Sequence, residues 1–434
     1  MTARTESVNP IQKLQAFWDA MEAGMRRLMV IIMVETLAVG LFVSLLAPWY
    51  KTLGYESITQ GWLNLVLQLT SAVVATAGGV LADNLGRKNM YTAGQLLRCA
   101  VIVLLLSTRS FIGLVMVSLV RGLSIVQSPA RTAFIAAYTV KESRATTLGV
   151  YQTMSVIASV VSPLAAGFLA DQYGVRPPLL LALVLAVLAI FLAVPLKEPV
   201  NGFDNTPSAS REGSETVPSS HQQHTRGYSI KCLAEAGRQM FQHSDSRRLV
   251  FLLVAFLANG LANGATNILL PFTVMDKFSS AYQAVAGLSV ISSLGTALVM
   301  LIGGRIADVK GRRGIILSTG TIFPMLMMLI LWANTLWQVY TLLMLISMIG
   351  NISSPAVMAI NMEAVDEEYR ATWDGFGTGA TSAGMAVGGV IGGVMYKMSS
   401  TWAWITVITL FALQVICYYL VLERDGKPET PGRF

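Results

Sequence analysis

The chain has 434 residues, 54% of them hydrophobic and 13% charged, with a mean hydropathy of +0.59. That is more apolar side chain than a soluble core of this size can hide, so an ordinary water-soluble enzyme is excluded and a bilayer is implied. The net charge of +7 would point to nucleic acid only if the basic residues formed a patch on a folded surface, and their positions argue otherwise.

A spanning helix needs about 20 apolar residues to cross roughly 30 Å of hydrocarbon. Twelve such segments, spans 1 to 12, begin near residues 28, 60, 90, 111, 146, 178, 248, 281, 314, 337, 371 and 402. The expected organisation is a cytoplasmic amphipathic segment (1–27), a six-helix bundle (28–196), a cytoplasmic linker (197–247), a second six-helix bundle (248–422) and a cytoplasmic tail (423–434). In the first segment Ile11, Leu14, Phe17, Trp18 and Met21 sit at helical spacing, as in an interfacial helix. No short apolar core with a small-residue cleavage site precedes span 1, which therefore reads as a retained span and not a signal.

Span 1 carries Glu35, the one carboxylate deep inside a span, about 10 Å along the axis from Leu28 at 1.5 Å per residue. An acid at that depth is costly and usually faces a wet cavity, a partner or a proton path. All three histidines (His221, His224, His243) fall in the linker, so Glu35 is the default proton carrier. Span 3 carries Arg98, for which a structural partner is expected. Span 4 carries Arg121 near the bilayer midplane, a permanently protonated group that needs an anion or a carbonyl.

Residues 201–227 are polar and cannot bury enough apolar surface to offset chain entropy. Residues 228–243 place Ile230, Leu233, Ala234, Met240 and Phe241 on one helical face, as for a helix on the cytoplasmic membrane surface. Span 7 aligns Asn259, Asn263 and Asn267 at spacings of four, a stripe that binds ligand polar groups or hydrogen-bonds across helices. The methionines around Met325, Met327 and Met328 read as adaptable packing or as an apolar substrate surface. Gly384, Gly388, Gly389, Gly392 and Gly393 in span 11 allow close helix approach, as static packing or as a sliding face.

The chain repeats itself. Gly79-Val-Leu-Ala-Asp-Asn-Leu-Gly-Arg-Lys88 and Gly304-Arg-Ile-Ala-Asp-Val-Lys-Gly-Arg-Arg313 lie 225 residues apart, and Pro129-Ala130 with Pro355-Ala356 and Arg144-Ala145 with Arg370-Ala371 recur at 226. Two copies of one half follow, which agrees with six spans plus six. With the amino terminus inside, the cytoplasmic segments hold 24 of the 31 basic residues and the external loops five (Lys51, Arg109, Arg176, Lys277, Lys397). The positive-inside rule then puts both termini in the cytoplasm. Cys99, Cys232 and Cys417 offer no external pair for a disulfide. No phosphate-binding loop is present and His221 and His224 lack further ligands, so ATP hydrolysis, a cofactor and a metal site are unsupported.

The decapeptide at 79–88 resembles the loop between helices 2 and 3 of the major facilitator superfamily, and that at 304–313 its weaker echo between helices 8 and 9. Leu119-Val-Arg121-Gly122 is similar to the start of that family's helix 4 arginine motif. Ala158 to Gly167 is similar to its helix 5 antiporter motif, keeping Pro163 and Gly167 but holding Ser162 and Ala166 where glycines stand. The resemblance spans the whole chain. It implies an all-α fold of two pseudosymmetric six-helix bundles, with spans 1, 4, 7 and 10 around a cavity that opens to alternate sides.

The resemblance also implies a latch at the cytoplasmic rim. Asp83 would face the start of span 11, with Arg87, Lys88 and Arg144 completing the cluster between the turns of Gly79 and Gly86; Asp308, Gly311, Arg312 and Arg370 would form the second-half version. Glu35 and Arg121 would pair when the acid is ionised and part when it is protonated, or stand as a static ion pair. The expected function is proton-coupled export of small amphipathic or drug-like molecules across the inner (plasma) membrane by a monomer. Partners are the substrate, protons and lipid, and not nucleic acid. A symporter or facilitator of a small organic anion held at Arg121 is the alternative, and a transporter-shaped sensor or lipid-handling scaffold a further one.

Overall fold

A computed structural model describes residues 23–138, 144–196, 238, 240, 246–279, 281–300, 312–366 and 369–424. Every regular element among them is helical. Span 1 is Ala23–Val43 continued by Leu46–Thr52, and spans 2 and 3 are Ser57–Leu85 and Arg87–Ser107. Span 4 joins Phe111–Leu123 to Gln127–Tyr138 through a 3-10 turn, Ser124–Val126; spans 5 and 6 are Arg144–Tyr173 and Arg176–Ala193. Spans 7 to 12 are Ser246–Lys277, Tyr282–Met300, Arg312–Leu331, Leu336–Glu363, Arg370–Met398 and Ser400–Arg424. Among the described residues ten helices are long and apolar enough to cross a bilayer, and spans 2 and 4 complete the expected twelve.

Local chemistry explains the breaks. Span 1 interrupts at Ser44, four residues ahead of Pro48, which has no amide to give to the Ser44 carbonyl; the Ser44 hydroxyl donates to Gly40 O at 2.8 Å. Span 4 tightens to its 3-10 turn just ahead of Pro129, where the same loss of a donor applies. Spans 4 and 10 begin on side-chain caps: Ser110 Oγ accepts from Gly113 N, and Thr335 with Gln338 forms a capping box. Gly86, in the repeated loop motif, turns the chain from span 2 to span 3 at φ +87°, a left-handed conformation open to glycine.

The halves pair their helices in the same way. Span 1 packs on 5 and 6, span 2 on 4, and span 3 on 4 and 6; in the second half span 7 packs on 11 and 12, span 8 on 10, and span 9 on 10 and 12. The principal contacts between halves, span 2 with 11 and span 5 with 8, exchange under the same pseudo-two-fold. Large apolar side chains such as Phe191 (70% exposed) and Trp337 (76%) point outward, as lipid-facing residues do. Met325 and Met328 are exposed and Met327 is buried. Cys99 and Cys417 are free thiols.

Met240 is buried in the core of the second half. The remaining residues singled out in the linker, the amphipathic segment at 1–22 and the tail beyond 424 lie outside the described residues.

Span 11 presents two glycine rows. A Cβ on Gly384 or Gly388 would meet backbone atoms of span 7 at 2.6 and 2.1 Å, and one on Gly392 would meet Ala265 at 2.7 Å. Gly389 and Gly393 face span 2 instead, at Asn64 and Ser57. One row seals a half; the other lets the halves meet.

Candidate functional site

A cavity of about 720 Å³ lies between the halves, within the range of about 300–1,000 Å³ usual for small-molecule pockets. Spans 1, 2, 4, 7, 8, 9 and 10 line it. Its polar wall is Ser44, Tyr50, Gln60, Asn64, Gln68, Ser118 and Arg121 from the first half, and Asn263, Thr266, Asn267, Ser289, Ser292, Ser293, Ser347 and Asn351 from the second. Phe323, Met327, Leu343 and Ile346 supply apolar surface. Ser292 and Ser347 are hydrogen-bonded at 3.0 Å, and Asn351 Nδ2 donates to Thr296 Oγ1 at 3.1 Å.

Arg121 is the one fully charged side chain among the lining residues described. It is half-buried, with its guanidinium carbon 6.0 Å from the centroid of the Phe42 ring, a cation-π distance. Among the described residues no carboxylate lies within ion-pair distance of it.

Glu35 is elsewhere. It is 2% exposed and does not line the cavity. Its Oε1 is ion-paired with Arg98 and lies 3.6 Å from Arg131 NH1. Gln127 Nε2 donates to the same oxygen at 2.7 Å, while Gln95 Nε2 and the Tyr91 hydroxyl donate to Oε2 at 2.8 and 3.1 Å. The expected Glu35–Arg121 pair is thus corrected: helix rotation turns Glu35 toward span 3 and the lower part of span 4, and Arg98 takes the partner role. Two cations and three amide or hydroxyl donors offset the desolvation that a lone buried carboxylate would suffer.

The asparagine stripe divides. Asn263 and Asn267 line the cavity. Asn259 turns into its own half, donating to Gln414 Oε1 of span 12 at 3.1 Å and accepting from Asn263 Nδ2 at the same distance. Of the expected latch, Gly86 forms the turn already described, Lys88 O accepts from Thr92 Oγ1 at 3.0 Å, and Arg370 Nε donates to Met362 O at 3.2 Å. Gly79 lies within span 2. Asp308 and Gly311 fall outside the described residues, as do the side chains of Asp83, Arg87, Arg144 and Arg312.

A set of contacts between the halves, not expected from the sequence, closes the opposite end of the bundle. Asp171, at the end of span 5, accepts Tyr282 N and Gln283 N of span 8 at 2.8 and 2.9 Å. Lys51 is ion-paired with Asp276, whose Oδ2 also accepts from the Tyr396 hydroxyl at 2.7 Å. Lys397 meets Glu56 at 2.7 Å, Ser57 Oγ donates to Gly393 O at 2.9 Å, and Asn64 Nδ2 to Met385 O at 3.0 Å. One signal was available: Ala170-Asp-Gln-Tyr-Gly-Val-Arg176 is a third, looser copy of the Ala-Asp-x-x-Gly pattern of the two repeated loops.

Comparison with known proteins agrees with this geometry. The sequence model described as Major Facilitator Superfamily matches residues 28–243 and 252–434. The chain is 23% identical over 385 residues to "Multidrug resistance protein 2" of Bacillus subtilis, covering 85% of this chain and 87% of that one. It is 33% identical over 119 residues to "Multidrug resistance protein MdtG" of Citrobacter koseri, a match spanning only 27% of this chain and 29% of the relative. The crystal structure of nucleoside transporter NupG superposes with a TM-score of 0.71 at 16% identity, over 94% of this chain and all of that one, which shows the fold.

Proposed function

The chain belongs to the Major Facilitator Superfamily, so it is a membrane transporter and not an enzyme, and from that premise we propose that it exports small amphipathic or drug-like molecules by alternating access, driven by the proton gradient. The observation that carries the reading is the cavity shared by two pseudosymmetric halves that are latched together at one end. By the positive-inside rule the latched end, with Lys51, Lys277 and Lys397, is external, and release of that latch would expose the cavity outward. The multidrug-resistance names of those relatives support a drug-like substrate.

Glu35 is proposed as the proton carrier. Gln95 and Gln127 donate to it while their own carbonyl oxygens are buried without partners among the described residues. A half-turn of either amide would offer an acceptor to a protonated Glu35, so the site can hold either charge state. Arg121 is proposed to sense the change from the cavity wall, and Asn263 and Asn267 to contact the substrate. Asp83, Arg87, Lys88, Arg144 and Arg370 are proposed to latch the cytoplasmic rim when the external end opens.

A second reading, carriage of an organic anion with its proton, is favoured by Arg121, which faces the cavity with no carboxylate partner among the described residues. Protonating Glu35 would leave the Arg98 charge uncompensated, which strengthens rather than weakens anion binding nearby. Reconstituted vesicles separate the two. Export by exchange requires protons and substrate to move in opposite directions, with Glu35→Gln abolishing proton-driven movement while substrate exchange persists; movement in the same direction would sink it, and no movement of any solute would favour a sensor.

A further inference from the structure

The cavity holds one full charge and nothing described to neutralise it. Arg121 stays protonated at any physiological pH, and a cation at membrane depth is costly unless it finds an anion or water. The carboxylate that the sequence offers as its partner is already saturated by Arg98, Arg131, Gln95, Gln127 and Tyr91. The Phe42 ring at 6.0 Å compensates only partly. Ser44, Ser118 and Asn263 share the same cavity wall and are neutral.

We infer that the transported molecule carries an anionic head, a carboxylate, sulfonate or phosphate ester, that seats on the Arg121 guanidinium while its apolar body lies against Phe323, Met327 and Leu343. Cationic amphiphiles are disfavoured, because the described lining offers them no carboxylate and one repelling charge. The guanidinium fork suits a planar, two-oxygen acceptor better than a lysine would. This inference rests on the transporter reading and holds for either direction of movement.

Three ligands on one naphthalene body, bearing a carboxylate, a carboxamide or a trimethylammonium group, test it with the full chain in lipid nanodiscs. Thermal stabilisation and calorimetric binding should rank carboxylate above carboxamide above ammonium. Arg121→Gln should weaken the carboxylate by about 10–100-fold, the loss expected for a charged hydrogen-bonded contact, and leave the carboxamide nearly unchanged. Arg121→Lys, which keeps the charge if the glutamine variant fails to fold, should weaken the carboxylate less while retaining the ranking. Equal or tighter ammonium binding, no binding of the carboxylate, or carboxylate affinity indifferent to both substitutions would overturn the inference. In proteoliposomes, anion binding without movement of any of the three would instead count against transport itself and leave the ligand class standing.

Discussion

Asp171 caps the helix that starts at Tyr282, accepting its backbone amide at 2.8 Å, so the end of one half supplies the N-terminal cap of a helix in the other. The carboxylate also meets the positive end of the span 8 dipole. Closure at this end is therefore written into helix termini as well as into the ion pairs beside it. Those pairs are exposed, with Lys397 and Glu56 side chains at 56% and 60%, and pairs of that kind contribute about 0–1 kcal/mol each.

Asp171→Ala should shift the protein toward opening at the latched end. Loss of a cap costs about 0.5–2 kcal/mol, an equilibrium change of roughly 2- to 30-fold. A cysteine placed at Tyr50 in a background without the native thiols should then be labelled faster by an impermeant reagent; unchanged labelling would mean that the cap does not control closure.

Gly61→Val and Gly388→Val should fail differently. A Cβ at Gly61 would lie 2.6 Å from Gly389 O across the halves, whereas one at Gly388 would lie 2.1 Å from Leu261 O within a half. The second should lower thermal stability by the cost of overpacking, about 1–3 kcal/mol. The first should leave each half stable and stop transport by holding the halves apart, as paired melting and flux measurements would show.

Arg98→Gln should be more damaging than the pair Arg98→Gln with Glu35→Gln. Removing one partner strands a buried charge at about 3–5 kcal/mol, while neutralising both avoids that cost. A double-mutant cycle on unfolding reads the coupling directly; additive losses would show that Glu35 relies on its other donors.

Asn259→Ala and Asn263→Ala should part company. Asn259 joins span 7 to span 12 through Gln414, so its loss should reduce stability by about 0.6 kcal/mol, typical for an interhelical bond in a membrane, and reach the ligand only indirectly, through its bond to Asn263. Asn263 lines the cavity, and its loss should change ligand affinity; identical ligand responses from the two variants would remove the stripe from the binding site.

Several of these features are legible in the chain alone. The doubled decapeptide announces the pseudo-two-fold that the matched helix pairings then display. Glu35 stands out because an acid inside an apolar run violates the local pattern. Its partner does not, because Arg98 and Arg121 are both plausible at the same depth and only the rotation of span 1 about its axis chooses between them. Asp171 is less legible for the opposite reason: a carboxylate at a span end is ordinary, and although its Ala-Asp-x-x-Gly setting echoes the repeated loops, that pattern does not tell which helix begins against it.

Sequence by itself determined the membrane environment, the spans and the repeat, since each is set by hydropathy and spacing along a single segment. Tertiary structure alone decided which polar residues share the cavity, that Glu35 is saturated by Arg98 and its neighbours while Arg121 lines the cavity without a carboxylate among the described residues, and that one row of span 11 glycines closes a half and the other joins two. Lipid is as apolar as a helix interface, so the side a helix turns to its neighbours leaves little trace in hydrophobicity and emerges only when the helices pack.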